Sequence, residues 1–202
     1  MKEEKDALRD IAEIRSMMER SSKFLSLSGG TGALAGVYAL AGVYIVHQLL
    51  GFAPKAITDT DAQTNTGALL LVAVLVLLLA IATAVYFSLQ KATRNGEPFF
   101  TPAAKQLVMQ MAVPLVAGGL FALIALDKGW IGLLAPITQI FYGIALFMAG
   151  KYTYAEVKSL GLLQILLGLL GLYWIPSALI FWAIGFGVLH IIYGIYMHIR
   201  HK

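Results

Sequence analysis

The longest stretch of the chain without a charged residue is Ser159–Ile199, which lies between Lys158 and Arg200. A continuous helix of that length, at ~1.5 Å per residue, would be about twice as long as the hydrocarbon core of a bilayer is thick. The stretch must therefore fold back on itself. The segment Tyr173–Pro176 marks the turn, because two aromatic residues typical of the membrane interface precede a proline that favours a helix start. This pattern predicts a hairpin of two transmembrane helices.

Four further apolar runs precede the hairpin and are separated from one another by short polar segments. Each run is long enough for one helix to cross a membrane. An Asn-Gly pair and an Asp-Lys-Gly sequence mark two of the intervening turns. We therefore predict an all-α, polytopic membrane protein with six transmembrane helices. The predicted spans are about 24–50, 67–90, 103–126, 130–149, 157–173 and 176–199.

A charged segment precedes the first span and differs in pattern from the rest of the chain. The apolar residues that recur there at helical spacing are Leu8, Ile11, Ile14 and Met18. Acidic and basic residues occupy the other faces, as in an amphipathic helix. We predict a cytoplasmic amphipathic helix over residues 1–23, followed by the transmembrane bundle over residues 24–202. The helix either lies on the membrane or the bundle, or forms a dimer or binds a partner protein.

Composition and charge agree with a membrane protein. The chain is 59% hydrophobic and 13% charged, with a mean hydropathy of +0.78, whereas soluble domains are about 25% charged. If the N-terminus is cytoplasmic, Lys55 and Lys128 are the only basic residues in the predicted outer segments. The positive-inside rule then places both termini in the cytoplasm. Because topology and anionic lipid account for the basic residues, we expect the lipid bilayer, and no nucleic acid, as a partner.

Residues that commonly carry chemistry are scarce in the predicted spans. The spans contain no Asp or Glu, and their only basic residues, Lys105 and Lys158, lie within the first three residues of a span, whereas ion-coupled pumps and voltage sensors carry charged residues inside the membrane. Cysteine is absent, and no His-Glu-x-x-His or Gly-x-Ser-x-Gly motif occurs. His47 and His190 differ in predicted depth by about 15 Å, which is too far for both to bind one haem iron. We therefore predict no enzyme activity, no metal site and no cofactor.

One hydrogen-bonding side chain occurs at similar predicted depth in each of five spans, roughly 10–15 Å from the cytoplasmic interface by helical rise. These residues are His190, Gln164, Gln139, Gln110 and Thr83. In lipid, such a layer can hold helices together through interhelical hydrogen bonds. Alternatively, it lines a small polar pocket that opens towards the cytoplasm, with His190 as its only titratable member.

The first span carries a repeat of small residues, Ser28, Gly32 and Gly36, at four-residue spacing. Small residues let two helix backbones approach closely in lipid. We predict that this face packs against another helix of the chain or against a second copy of the protein. A glycine-lined path for a solute is the alternative.

Three sequences, Lys2–Ile11, Arg20–Gly29 and Leu189–Gly194, resemble those of a group of uncharacterised small bacterial membrane proteins with six helices. The group has no assigned activity, so the resemblance implies no functional residues. It implies residence in the bacterial inner (cytoplasmic) membrane.

These observations predict a non-catalytic integral membrane protein that acts as an interaction or sensory module. Residues 1–23 would then bind a partner protein or a second copy of the chain. The alternative function is a channel or facilitator for a small neutral solute. A continuous polar lining along the bundle axis would favour transport.

Overall fold

The computed structural model describes residues 23–24, 29–58, 65–96 and 98–200. The predicted helix over residues 1–23 falls outside this part of the chain, except for Lys23, and Ser28 also falls outside it. The described residues form an all-α polytopic bundle, as predicted. Six of its helical segments are long and apolar enough to cross a membrane: Gly29–Leu49, Thr66–Asn95, Pro102–Asp127, Ile131–Ala149, Glu156–Tyr173 and Ile175–Arg200.

The first five spans contain one α-helix each. These helices are α1 (Gly29–Tyr44), α2 (Thr66–Asn95), α3 (Pro102–Asp127), α4 (Leu134–Ala149) and α5 (Glu156–Tyr173). The first span ends in a π-helical turn, Ile45–Leu49, and the fourth begins with a 3₁₀ turn, Ile131–Leu133.

The sixth span is the least regular part of the bundle. It consists of a 3₁₀ turn (Ile175–Ser177), α6 (Ala178–Trp182), a π-helical segment (Ala183–Leu189, called the π segment below) and α7 (His190–Arg200). The predicted hairpin turn lies between α5 and this 3₁₀ turn, with Pro176 in its first residues.

Local signals in the sequence define both ends of α2. The Asn65 side chain accepts a hydrogen bond from the Ala68 N–H at 3.0 Å and so caps the first turn. Gly96 ends the helix with a φ of 66°, a conformation that glycine adopts without a steric penalty. The helix of the second predicted span, about 67–90, therefore extends further than the predicted span, to Asn95. A charged side chain does not end a helix, because the backbone remains hydrogen-bonded internally while the side chain reaches water.

The spans pack in the order second, first, sixth, fifth, fourth, third. The second and third spans thus lie at the periphery, and each packs mainly against one neighbour. Of the residues of α2, only Leu69, Ser88 and Ala92 are buried. The remaining surface of α2 is rich in leucine, valine and isoleucine and suits contact with lipid.

Glycines bring the first span into close contact with the sixth. A Cβ added to Gly32 would come within 3.2 Å of the Gly194 Cα, and one added to Gly36 would come within 2.6 Å of the Gly187 carbonyl oxygen. Gly194 in turn faces the carbonyl oxygen of Gly29. The structure therefore assigns Gly32 and Gly36 to a contact within the chain.

Glycines also bring α4 close to α5. A Cβ on Gly143 would lie 2.7 Å from the carbonyl oxygen of Gly161, and a Cβ on Gly161 would lie 2.7 Å from that of Gly143. Such close approach maximises van der Waals contact, which drives helix association where lipid removes the hydrophobic driving force. The first, fourth, fifth and sixth spans form the tightly packed part of the bundle.

Phe24 is attached to the end of the bundle at which α4 is joined to α5. Its N–H donates to the Tyr152 carbonyl oxygen at 2.7 Å, and the Thr153 hydroxyl donates to the Phe24 carbonyl oxygen at 2.8 Å. The Phe24 ring also makes an edge-to-face contact with Phe99, with the centroids 5.8 Å apart. These contacts fix the residue that follows the predicted N-terminal helix, and we call them the Phe24 clamp.

Candidate functional site

Three of the five residues in the predicted polar layer lie in direct contact with one another. Gln139 is on α4, Gln164 is on α5 and His190 is the first residue of α7. The Gln139 Nε2 atom donates to Gln164 Oε1 at 3.0 Å, and Gln164 Nε2 lies 3.3 Å from His190 Nδ1. The exposed fraction of the three residues is 0%, 0% and 5%, respectively.

The imidazole of His190 has a further contact at each of its nitrogen atoms. Nε2 lies 2.9 Å from the hydroxyl oxygen of Tyr142, and Nδ1 lies 2.9 Å from the carbonyl oxygen of Gly185. A carbonyl oxygen can only accept, so the shorter contact assigns a hydrogen to Nδ1. In the neutral ring, the Tyr142 hydroxyl then donates to Nε2. We refer to Gln139, Tyr142, Gln164 and His190 together as the polar cluster.

The π segment shapes the backbone around the polar cluster. Helical turns of this kind interrupt the regular i→i+4 hydrogen bonding and are frequent at functional sites. Near it, the carbonyl oxygen of Phe181 accepts from Gln139 Nε2 at 3.1 Å, and that of Gly185 faces His190. Gly185 is required here, because a Cβ at this position would overlap the amide groups of Gln139 and Gln164.

Aromatic rings cover one side of the polar cluster. Phe186 stacks on Trp182 with ring centroids 4.4 Å apart, and it lies parallel to the His190 ring at 5.8 Å with an interplanar angle of 5°. The ring of Tyr142 lies 4.8 Å from Phe186. The indole N–H of Trp182 donates to the Thr138 hydroxyl at 3.2 Å. The stack is thus anchored to α4 and separates the polar groups from the surroundings on that side.

The other two residues of the predicted layer are located elsewhere. Thr83 lies on α2, and its hydroxyl donates to the hydroxyl of Tyr38 on α1 at 3.4 Å. Gln110 is half-buried on α3 and makes no hydrogen bond to the polar cluster within the described residues. Both belong to the peripheral spans. Their predicted depth matches that of the cluster, but the packing order of the spans keeps them apart from it.

Sequence reasoning missed Tyr142 and Gly185 as parts of the site. Tyr142 follows Gln139 by three residues, and this spacing puts both side chains on one face of a helix. That signal could have identified it. Gly185 precedes His190 by five residues, a spacing that brings the two together only where the helix contains a π segment. No sequence pattern marks that segment.

A groove of about 300 Å³ lies between α5 and α7, beside the polar cluster. Its wall is mostly apolar and includes Leu160 and Leu189, which also belong to the apolar cluster in contact with Tyr142. Glu156 and Tyr196 line the same groove, near the ion pair between Glu156 and Arg200 at 3.4 Å. Apolar side chains therefore border the polar cluster on this side as well.

The chemistry available to the polar cluster is hydrogen bonding and proton exchange at His190. It contains no carboxylate, amine or thiol. Within the ranges that the structure describes, no group of three or more His, Cys, Asp or Glu side chains could hold a metal ion.

Comparison with protein-family models, curated proteins and solved structures finds no match to this chain. Its function is therefore argued from its own residues.

Proposed function

We propose that this chain is a non-catalytic integral protein of the bacterial inner membrane, and that its bundle holds the N-terminal segment in place for a partner in the cytoplasm. The partner is either a second copy of the chain or another protein. The observation that carries the proposal is the Phe24 clamp. It attaches the base of residues 1–23 to the tightly packed part of the bundle.

The clamp is suited to transmit force as well as to anchor. Both backbone polar groups of Phe24 are hydrogen-bonded, and both bonds lead to the connection between α4 and α5. Those helices are joined in turn by the glycine contact and by the polar cluster. A force on the N-terminal segment would therefore be transmitted directly to the packed helices, as a sensory or interaction module requires.

Charge distribution supports the proposed orientation. Of the basic residues within the described ranges, two lie at the opposite end of the bundle, Lys55 and Lys128. Seven lie at or near the end that carries the Phe24 clamp: Lys23, Lys91, Arg94, Lys105, Lys151, Lys158 and Arg200. An excess of this kind favours the cytoplasmic side for the clamp and for both termini.

The polar cluster supports a structural role for the bundle. Its hydrogen bonds join the fourth, fifth and sixth spans, and each such bond is worth about 0.6 kcal/mol in a membrane. Gln139 and Gln164 are completely buried, so bulk solvent does not reach them from either side of the membrane. A site of this kind fastens helices together.

Site-specific cross-linking tests the proposed interaction. A photoreactive amino acid at Ser16, within residues 1–23, is expected to give a discrete cross-linked protein band in cells, which mass spectrometry then identifies. The matched control is the same amino acid at the exposed residue Ala56, at the opposite end of the bundle. Bands of equal intensity from both positions, or none from Ser16, would refute the proposal.

Cysteine labelling tests the proposed orientation. The chain contains no cysteine, so each introduced thiol is unique. An impermeant maleimide is expected to label Ala56→Cys in intact spheroplasts but to label Ala155→Cys only after permeabilisation. The reverse pattern would show that the topology is inverted, and it would contradict the proposal of a partner in the cytoplasm.

A facilitator for a small neutral solute is the second candidate, and the polar cluster is the observation that favours it. Proteoliposomes separate the two functions. We expect urea and glycerol to enter protein-containing vesicles no faster than they enter empty ones in a stopped-flow light-scattering assay. Faster entry that is lost in His190→Leu would favour transport instead.

A further inference from the structure

The hydrogen-bond donors and acceptors of the polar cluster cannot all be paired with one another. Gln139 Nε2 uses its two hydrogens on Gln164 Oε1 and on the Phe181 carbonyl oxygen. The other amide atom of the same side chain, Gln139 Oε1, is buried and has no hydrogen-bond partner in the described part of the chain. Buried acceptors without a partner are rare in proteins and call for an explanation.

A second mismatch lies at His190. Its Nδ1 faces the Gly185 carbonyl oxygen at 2.9 Å and Gln164 Nε2 at 3.3 Å. If Nδ1 carries a hydrogen, it donates to the Gly185 carbonyl oxygen, but the same hydrogen then faces the NH₂ group of Gln164, which is also a donor. If Nδ1 carries none, its lone pair faces the carbonyl oxygen. Protonating the ring does not help, because Nδ1 then remains a donor.

Exchanging the oxygen and nitrogen positions of the glutamine amides replaces one contact between like groups with another. If Gln164 alone is flipped, its nitrogen faces the nitrogen of Gln139. If both amides are flipped, Gln139 Oε1 faces the Phe181 carbonyl oxygen across 3.1 Å. Each arrangement leaves at least one contact between like groups and one amide atom unpaired. The polar cluster therefore lacks one hydrogen-bond acceptor for Gln164 and one donor for Gln139.

We propose that the polar cluster is a binding site for one small neutral molecule that both donates and accepts hydrogen bonds, and that this molecule is water. It donates to Gln139 Oε1 and accepts from Gln164 Nε2, so the Gln164 amide can turn away from the Nδ1–H of His190. One molecule thereby satisfies both mismatched atoms. Buried waters in proteins typically have two to four partners of this kind.

The surroundings argue for a water-sized occupant. Both amides pack directly against Gly185, which leaves no room for an occupant on that side of them. The aromatic stack of Trp182 and Phe186 closes one side. No charged side chain belongs to the polar cluster. A bound ion would therefore lose its hydration, at a cost of several kcal/mol, without gaining a counter-charge.

A crystal structure of the protein in a lipid phase, at a resolution that shows ordered water, tests the proposal directly. Rounded density within about 3.2 Å of both Gln139 Oε1 and Gln164 Nε2 is the expected result. Elongated density would overturn the assignment to water. The absence of density beside well-ordered amides would overturn the site.

Nuclear magnetic resonance provides a second, independent readout. With ¹⁵N-glutamine in lipid nanodiscs, the side-chain amide of Gln164 is expected to show magnetisation exchange with water. That exchange is expected to be lost in Gln139→Met and retained in Gln110→Met, which changes a glutamine outside the polar cluster. Equal exchange in both variants, or none in the unmodified protein, would contradict the proposal.

Discussion

Replacing Gly185 with alanine tests how tightly the polar cluster is packed. The added Cβ would overlap the Gln139 Nε2 and Gln164 Oε1 atoms, so one of the two amides must move. Overpacking a filled interior costs about 1–3 kcal/mol. Loss of the amide–amide bond costs about 0.6 kcal/mol more. Alanine returns about 1 kcal/mol over glycine inside a helix. We expect a net loss of about 0.6–2.6 kcal/mol in the free energy of unfolding.

The matched control is Gly119→Ala on α3. A Cβ at Gly119 would have no neighbour within 4 Å, so this change removes a glycine from a helix without any clash. We expect it to stabilise the protein by up to about 1 kcal/mol. The two substitutions are chemically identical, so the expected difference in the sign of their effects comes from the clash at Gly185.

A double-mutant cycle identifies the cause of the loss. Gln139→Ala removes the amide that the new methyl group would displace, so the Gly185→Ala change should be less harmful in its presence. We expect a coupling free energy of about 1 kcal/mol or more. The assay is reversible unfolding of the purified protein in bicelles, followed by tryptophan fluorescence. Equal stability of Gly185→Ala and Gly119→Ala, or strictly additive effects in the cycle, would refute the reasoning.

Three further predictions use the same unfolding assay or hydrogen exchange. Gly36→Ala should lower the unfolding midpoint more than Gly32→Ala, because its Cβ would come within 2.6 Å of a carbonyl oxygen of the sixth span, against 3.2 Å for the nearest atom at Gly32; the opposite order would contradict the described contact. Tyr142→Phe should cost about 1 kcal/mol by removing a hydrogen bond to a buried imidazole, and unchanged stability would show that this bond contributes nothing. Thr153→Val should speed amide hydrogen exchange at Phe24 by loosening the clamp; an unchanged exchange rate would mean that the Tyr152 bond alone holds it.

The six spans could be predicted because lipid imposes a simple requirement. A helix that crosses the membrane needs about 20 apolar residues, and each run of that length is visible in the sequence. The hairpin turn was predictable for the same reason, since the apolar stretch before Arg200 is too long for one crossing. The end of α2 was not, because Lys91 and Arg94 extend the helix beyond its apolar part.

The site was only partly predictable, because depth along a helix says nothing about its neighbours. Gln139, Gln164 and His190 share a depth and also lie on adjacent helices. Gln110 shares that depth but lies on a peripheral span, and the order of packing does not follow from the number of spans. The π segment determines the rest, since its irregular backbone brings the carbonyl oxygen of Gly185 to the imidazole. Its position depends on contacts made across the bundle.

The position of the sixth span in the packing order has a consequence for assembly. Protein synthesis proceeds from the N-terminus, so this is the last of the six spans to enter the membrane. Until it arrives, the glycine face of α1 has no helix to pack against, and the Gln139 and Gln164 amides lack their partners at Phe181 and His190. Both contacts form when one helix inserts between two groups of earlier ones. Insertion of the sixth span therefore closes the bundle, and a chain arrested before Ala178 would expose amides that lack these partners, which membrane quality control could recognise.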